Sequence, residues 1–126
     1  MIINDPKHYK HALRGKFDLL KEHSERHEPC TEGGDYRTDR HFELACVDHS
    51  WYKVVVDVSI YQSRENGYLC FQNCTLNYIA VYHEHPEYGT SELASSYDFK
   101  TYDYRKDMHN DIMSALITAY GIISTH

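Results

Sequence analysis

Apolar residues near the N-terminus recur at helical spacing. Four of them fall on one side of a helical projection: Tyr9, Leu13, Phe17 and Leu20. Asp5 suits a helix cap and Pro6 suits the first helical position, whereas Pro29 opposes continuation of a helix. The pattern therefore predicts a helix from about Pro6 to about His27.

The period changes to two in the middle of the chain. Residues 42–46 and the run Val54–Ile60 alternate in the manner of strands. The Asn66-Gly67 pair then predicts a hairpin turn, because both residues tolerate positive φ. The next strand is expected from Tyr68 to about Tyr82, and its length predicts a bulge near Asn73–Asn77.

The remaining segments complete the predicted architecture. Residues 28–40 are polar and have no period, which predicts a long loop, and His83–Ser96 contains proline and glycine and predicts a connection. Tyr97–Tyr102 alternates as a fourth strand would, and Met108–Ile123 carries the apolar stripe of a helix. The sequence thus predicts a single α+β domain over residues 1–126. Its expected parts are an N-terminal helix, a three- to four-stranded antiparallel β-meander, and a C-terminal helix packed on the sheet.

Length and composition place the chain among ordinary folded domains. Its 126 residues are 41% hydrophobic and 25% charged. No apolar run approaches the roughly 20 residues of a membrane-spanning helix, and Met1–Ile3 leads into polar residues rather than into a signal peptide. The cysteines at positions 30, 46, 70 and 74 are therefore expected to be free thiols in a reducing, cytoplasmic compartment.

The formal charge of −6 is unevenly distributed. Residues 1–40 hold eight acidic and eight basic side chains, whereas residues 83–111 hold seven acidic and three basic ones. A protein that binds duplex nucleic acid needs a basic surface to displace counterions, so this balance argues against one. It leaves a cationic protein partner open, beside the plainer reading of a solvated acidic surface.

Histidine and cysteine spacing raises the question of a metal. His23 and His27 would share one face of the predicted helix, and Cys30 follows its end. Their fourth zinc ligand would come from one of three residues: His41, Cys46 or His49. The spacing matches no standard zinc framework, and neither does the second pair, His83 and His85. We therefore assign no metal and no cofactor from the sequence.

Catalytic signatures are also lacking. The chain contains no Gly-x-Ser-x-Gly turn, and Gly33-Gly34 lacks the flanking strand and helix of a phosphate loop. Asp48 and His49 are neighbours in sequence, but adjacency alone does not bring their side chains together. Cys70 and Cys74 would lie roughly 13 Å apart on an extended strand. The sequence consequently favours a binding protein over an enzyme and predicts no catalytic residue.

Tyrosine, with twelve occurrences, alternates with acidic residues after position 78. Aromatic anchors in an acidic field suit a basic protein surface, although the same residues would also serve as the acidic edge of a sheet filled by aromatics. The predicted partner-binding residues are Tyr82, Glu84, Glu87, Tyr88, Glu92, Tyr97, Asp98, Tyr102 and Asp103.

The leading hypothesis is a small inhibitor that occupies a basic, nucleic-acid-handling surface of a larger host or cellular protein. Small acidic proteins of this profile are used by viruses and mobile elements against host machinery. The alternative is a small-ligand-binding protein or enzyme with a pocket of histidines and tyrosines, with or without zinc. That alternative predicts that several histidines converge: His41, His49, His83, His85 and His109. The exposed edges of a small sheet also predict a homodimer.

Overall fold

The computed structural model describes residues 13–97 and 99–126. Within them the chain forms an antiparallel sheet and a helix at its C-terminal end. The elements are β1 (Phe17–His27), β2 (Tyr36–Cys46), β3 (Tyr52–Glu65), β4 (Tyr68–His85), β5 (Gly89–Ser96), β6 (Lys100–Tyr102) and α1 (Arg105–Thr125). The strand order is β1-β2-β3-β4-β5, and β6 continues beyond β5 along the same edge of β4.

The predicted helix over Pro6–His27 is wrong. Residues 13–16 form a turn, residues 17–27 form β1, and the start of the predicted helix lies outside the described residues. β1 pairs with β2 from Phe17 opposite Cys46 to His27 opposite Arg37. Its side chains are nearly all exposed, so this edge strand carries no alternating apolar signal, and pairing of its backbone overrides the local helical pattern.

The central hairpin confirms the predicted turn and bulge. Asn66 and Gly67 both have positive φ, at 52° and 83°, and connect β3 to β4. Asp57 lies opposite Tyr78, whereas the next residue, Val58, lies opposite Leu76. Asn77 is therefore the extra residue of a bulge inside the predicted interval.

Other predicted boundaries need correction. The loop predicted over residues 28–40 ends before Tyr36, where β2 begins. The connection predicted over His83–Ser96 is instead the end of β4, a short turn and the whole of β5. The strand predicted over Tyr97–Tyr102 is confined to the three residues of β6. Within residues 13–97 and 99–126, six strands are thus formed where three or four were expected.

The C-terminal helix is confirmed and covers one face of the sheet. α1 contacts β3, β4 and β6, and its buried residues are Met108, Leu116, Ala119 and Ile123. They meet alternate residues of β3, among them Val54, Val56, Val58 and Ile60, which are all buried. We call this surface of the sheet the covered face. No helix in the described part of the chain is long and apolar enough to cross a membrane.

Candidate functional site

The surface of the sheet opposite α1, here called the open face, carries polar side chains at its centre. Ser59 is only 4% exposed, and its hydroxyl donates to Oδ1 of Asp39 at 2.6 Å. The Asn77 amide donates to Asp57 Oδ1 at 2.8 Å and to the Ser59 hydroxyl at 2.9 Å. The bulge thus turns the Asn77 amide onto this face, where it joins β3 and β4 through side chains.

His41 lies beside this network, between two carboxylates. Its Nδ1 is 3.4 Å from Asp57 Oδ2, and its Nε2 is 3.5 Å from Glu43 Oε2. The Tyr78 hydroxyl lies 3.5 Å from the same Nδ1. The cross-strand register explains the arrangement, because His41 lies opposite Asp57 and Asp57 lies opposite Tyr78. His41 thus links the carboxylates of β2 and β3 on the open face.

Lys53 lies on the same face of β3 as Asp57, with Val55 between them. Its Nζ lies 2.9 Å from Glu43 Oε1 and 2.5 Å from Glu84 Oε1. The hydrogen bond from Lys53 lowers the pKa of Glu43, and the hydrogen bond to Glu84 raises the pKa of Lys53. These groups border a shallow depression of about 250 Å³, which is also lined by Tyr82 and Thr90. One lysine thus serves two carboxylates.

Three tyrosines extend the open face towards β5. The rings of Tyr78 and Tyr97 have centroids 5.3 Å apart, and the Tyr97 hydroxyl donates to Glu92 Oε1 at 3.3 Å. Burial, followed by the nearby Asp57 charge, raises the pKa of Tyr78, and desolvation likewise raises the pKa of Tyr97. Both hydroxyls therefore remain neutral donors. We define the tyrosine–carboxylate patch as Tyr78, Tyr82, Tyr97, Glu43, Glu84 and Glu92.

The structure divides the predicted partner-binding residues into groups. Four belong to the patch: Tyr82, Glu84, Glu92 and Tyr97. Glu87 and Tyr88 are exposed in the adjoining β4–β5 turn, where their backbone N–H groups donate to His85 Nδ1 at 3.1 and 3.3 Å.

The other predicted residues lie elsewhere. Tyr102 is 7% exposed beneath α1, Asp103 is exposed just before that helix, and Asp98 lies outside the described residues.

Sequence reasoning missed Tyr78, Glu43 and Asp57 as members of this surface. The signal for Asp57 was an acidic residue inside the apolar run of β3, on the parity opposite to Val56 and Val58. Tyr78 shares the parity of Tyr82 and Glu84 on β4, whereas the bulge brings the Asn77 amide onto the same face. The sequence predicted the bulge interval but not its position.

A second group of chemically active side chains lies at the turn between β2 and β3. Cys46 Sγ donates to Asp48 Oδ1 at 3.4 Å and lies 3.9 Å from His49 Nδ1. His49 Nδ1 is 2.8 Å from the same Asp48 oxygen. Burial raises the pKa of the Cys46 thiol, so it is neutral and a weak nucleophile. Hydrogen bonds from Tyr120 and His49 hold the pKa of Asp48 well below its usual range.

No known family matches. Comparison of the chain with protein-family models found none that fits, and comparisons with curated proteins and with solved structures found no significant similarity.

The zinc set considered from the sequence is not assembled. His27 Nε2 pairs with Asp39 Oδ2 at 3.0 Å, His23 lies opposite His41 across the β1–β2 pair, and Cys30 is exposed in the following loop. Within residues 13–97 and 99–126, the metal-ligating side chains that do come together are Cys46, Asp48 and His49. On the extended β1, His23 and His27 lie roughly 13 Å apart, whereas the predicted helix would have placed them one turn apart.

The histidines belong to separate clusters. The rings of His83 and His85 have centroids 5.9 Å apart, and His83 stacks on Tyr52 at 4.4 Å. His41 and His49 instead contact the carboxylates described above, and His109 is exposed on α1. A pocket lined by these five histidines is therefore not formed.

A cleft of about 430 Å³ opens between α1 and the β5–β6 edge. Its apolar wall includes Ile79, Val81, Ala94, Ala115 and Ile122. At its polar end the Tyr102 hydroxyl donates to Asp111 Oδ2 at 2.6 Å, and Lys100 donates to the same oxygen at 3.1 Å. Both bonds lower the pKa of Asp111. Burial and Asp111 raise the pKa of Tyr102.

Proposed function

We propose that the protein is a binding protein whose open face docks on a basic surface of a larger partner, in the manner of an inhibitor of nucleic-acid handling. The observation that carries the proposal is the tyrosine–carboxylate patch, in which three tyrosines and three carboxylates from β2, β4, β5 and the residue after β5 share the open face. Both the aromatic and the charged groups needed to recognise a cationic protein are present there.

The tyrosines supply contact area at low entropic cost. Tyr78 is half-buried by Tyr97, and Tyr97 is 50% exposed and anchored through its hydroxyl to Glu92. A tyrosine that is already held loses few rotamers when a partner covers it, which is why this residue is frequent at interface hot spots. The patch is thus preorganised for binding.

Charge selects the class of partner. The patch and the adjoining turn hold four carboxylates: Glu43, Glu84, Glu87 and Glu92. Lys53 and Lys21 are the lysines that pair with these groups in the described part of the chain. Lys53 already bonds Glu43 and Glu84, so the excess negative charge is concentrated at Glu87 and Glu92 on the β5 side. Arginine and lysine side chains of a partner can pair with these carboxylates while their stems cover the tyrosine rings.

The experiment compares two charge reversals of equal size. Glu87→Lys with Glu92→Lys changes the patch, whereas Glu28→Lys with Glu32→Lys makes the same change in the exposed loop after β1. Each purified chain is immobilised and exposed to a host lysate, and the retained proteins are tested for nucleic-acid binding with and without the free chain.

The proposal expects a nucleic-acid-binding protein that is retained by the wild type and by the loop variant. The patch variant should bind it at least about tenfold more weakly, because like charges now face each other. The free wild-type chain should also displace the nucleic acid. Equal retention by both variants would contradict the proposal.

The cleft beside α1 supports a second candidate, a binding protein for a small amphipathic molecule. Its volume of about 430 Å³ lies within the usual range of ligand pockets, and its wall is apolar with one polar end. Ala115→Phe should abolish enhancement of anilinonaphthalene sulfonate fluorescence, whereas Ile117→Phe, outside the cleft lining, should preserve it. Identical responses from both variants would rule out the cleft.

A further inference from the structure

The turn between β2 and β3 brings three metal-ligating side chains together. Its three side chains offer sulfur, nitrogen and oxygen from Cys46, His49 and Asp48, all within 4.8 Å of one another. We propose that these three residues bind one Zn²⁺ ion, with a fourth position open to water or to a ligand. Mixed sulfur, nitrogen and oxygen donors suit zinc, whereas calcium and magnesium prefer oxygen alone.

The spacing of the donor atoms fits this ion. Zinc bond lengths of about 2.0–2.3 Å at tetrahedral angles place neighbouring ligand atoms roughly 3.3–3.6 Å apart. The three observed separations are 3.4 Å from Cys46 Sγ to Asp48 Oδ1, 3.9 Å from Cys46 Sγ to His49 Nδ1, and 2.8 Å between the last two atoms. Small side-chain rotations would make these separations equal, and the thiol proton would pass to solvent as the thiolate binds.

The second oxygen of Asp48 is held from outside the site. Tyr120, on the last third of α1, donates its hydroxyl to Asp48 Oδ2, and Lys16 Nζ lies 3.6 Å from the same oxygen. Oδ1 is thereby left facing Cys46 and His49. Outer hydrogen bonds of this kind orient the carboxylate ligands of metal sites.

The surrounding packing keeps the three donors in place. Cys46 is the last residue of β2 and is buried in the core. Val47 N–H donates to the Lys16 carbonyl at 2.8 Å, which ties the turn to the segment before β1. The His49 ring meets the Tyr120 ring edge-on at 5.8 Å. Three separate segments therefore build the site, as in preorganised metal centres.

Titration of the reduced, chelator-treated full chain with Co²⁺ tests the proposal. We expect one equivalent to bind with a thiolate-to-cobalt charge-transfer band, and one equivalent of Zn²⁺ to displace it. Cys46→Ser should abolish the band. Tyr120→Phe removes a residue that hydrogen-bonds a ligand and should weaken Co²⁺ binding about tenfold, within the roughly 10–100-fold usual for such losses. His49→Ala removes a ligand itself and should weaken Co²⁺ binding more than a hundredfold.

The matched control is the double variant His23→Ala with Cys30→Ser, which removes one exposed histidine and one exposed cysteine elsewhere. It should bind Co²⁺ like the wild type. Far-ultraviolet circular dichroism checks that each variant folds. Because His49 lies on a surface turn, the His49→Ala variant remains informative if the Cys46→Ser variant unfolds. A wild-type chain without the band, or a His49→Ala variant of unchanged affinity, would overturn the proposal.

Discussion

The two faces of the sheet are built from different chemistry, although they share the same strands. On the covered face, Val54, Cys74 and Ile123 are almost fully buried within one apolar cluster. On the open face, Ser59 is also buried but is surrounded by hydrogen-bonding side chains. One face is covered by a helix, whereas the other holds a hydrogen-bonded network next to the buried Val55 and Ala80.

This difference separates stability from recognition. The apolar contacts of the covered face are non-directional and supply most of the free energy of folding. The hydrogen bonds of the open face contribute less net free energy, but they fix where Asp57, Asn77 and Tyr78 point. A face that is ordered without being covered by α1 is suited to meet a partner.

Truncation on the covered face should have the largest effect. Ile123 is 1% exposed, so Ile123→Ala removes buried contacts and leaves a cavity, at a cost of about 2–5 kcal/mol in the free energy of unfolding. Urea denaturation measures the change. The matched control, Ile117→Ala, makes the same truncation at a partly exposed position of α1 and should cost less than half as much. Equal losses at both positions would mean that α1 does not sit on the sheet as described.

Removal of a buried polar group from the open face should cost less. Ser59→Ala deletes the hydroxyl shared by Asp39 and Asn77, and we expect a loss of about 1–3 kcal/mol in urea denaturation. Ser63→Ala is the control, because that hydroxyl accepts its bond from Gln72 at a more exposed position of the same strand. An unchanged stability of the Ser59 variant would show that the network is not a structural part of this face.

The sequence predicted the covered face far better than the edges. Residues 54–60 and 108–123 alternate or repeat because each buries an apolar side against the other. β1 and β5 are edge strands whose residues are mostly exposed, so their apolar and polar residues do not alternate with a period of two. Leu19 and Leu20, 54% and 63% exposed, even imitated a helical stripe. Pairing with a neighbouring strand is a tertiary property that no local pattern records.

Prediction of the two candidate sites from the sequence was limited by local details of backbone geometry. Tyr82, Glu84 and Glu92 were predicted because of their residue types, and Tyr78 shares the parity of Tyr82 and Glu84 on β4. The bulge decides instead that the Asn77 amide lies on the same face. For the second site, the Cys-x-Asp-His spacing at residues 46–49 was visible in the sequence. The spacing alone did not show that a tight turn after the end of β2 brings the donor atoms of these residues close together.

The rim between the two faces should show a pH-dependent effect of intermediate size. Tyr102→Phe removes the hydroxyl that bonds Asp111, at about 1 kcal/mol near neutral pH, since the half-exposed carboxylate is partly screened. The lowered pKa of Asp111 means that its stabilising effect is present above about pH 4, the unfolded value, and is lost as pH falls through the folded value.

Urea denaturation of the wild type and the Tyr102→Phe variant between neutral and acidic pH measures this difference. The two curves should converge in acid, and a gap of constant size would mean that the Asp111 charge is not involved. Lys100→Met serves as the control, because its bond to the same oxygen is more exposed. It should produce a smaller version of the same pH dependence.

The smallest effect on stability is expected at the residue most important for the proposed docking. Glu92 is exposed and its carboxylate accepts a 3.3 Å bond from the exposed Tyr97, so Glu92→Gln should change the free energy of unfolding by less than about 0.5 kcal/mol. The same variant should nevertheless slow association with a basic partner and reduce its salt dependence. Glu32→Gln, with the same loss of charge in the distant loop, should do neither. A Glu92 variant that destabilises the fold would show that recognition and stability are not divided between the two faces.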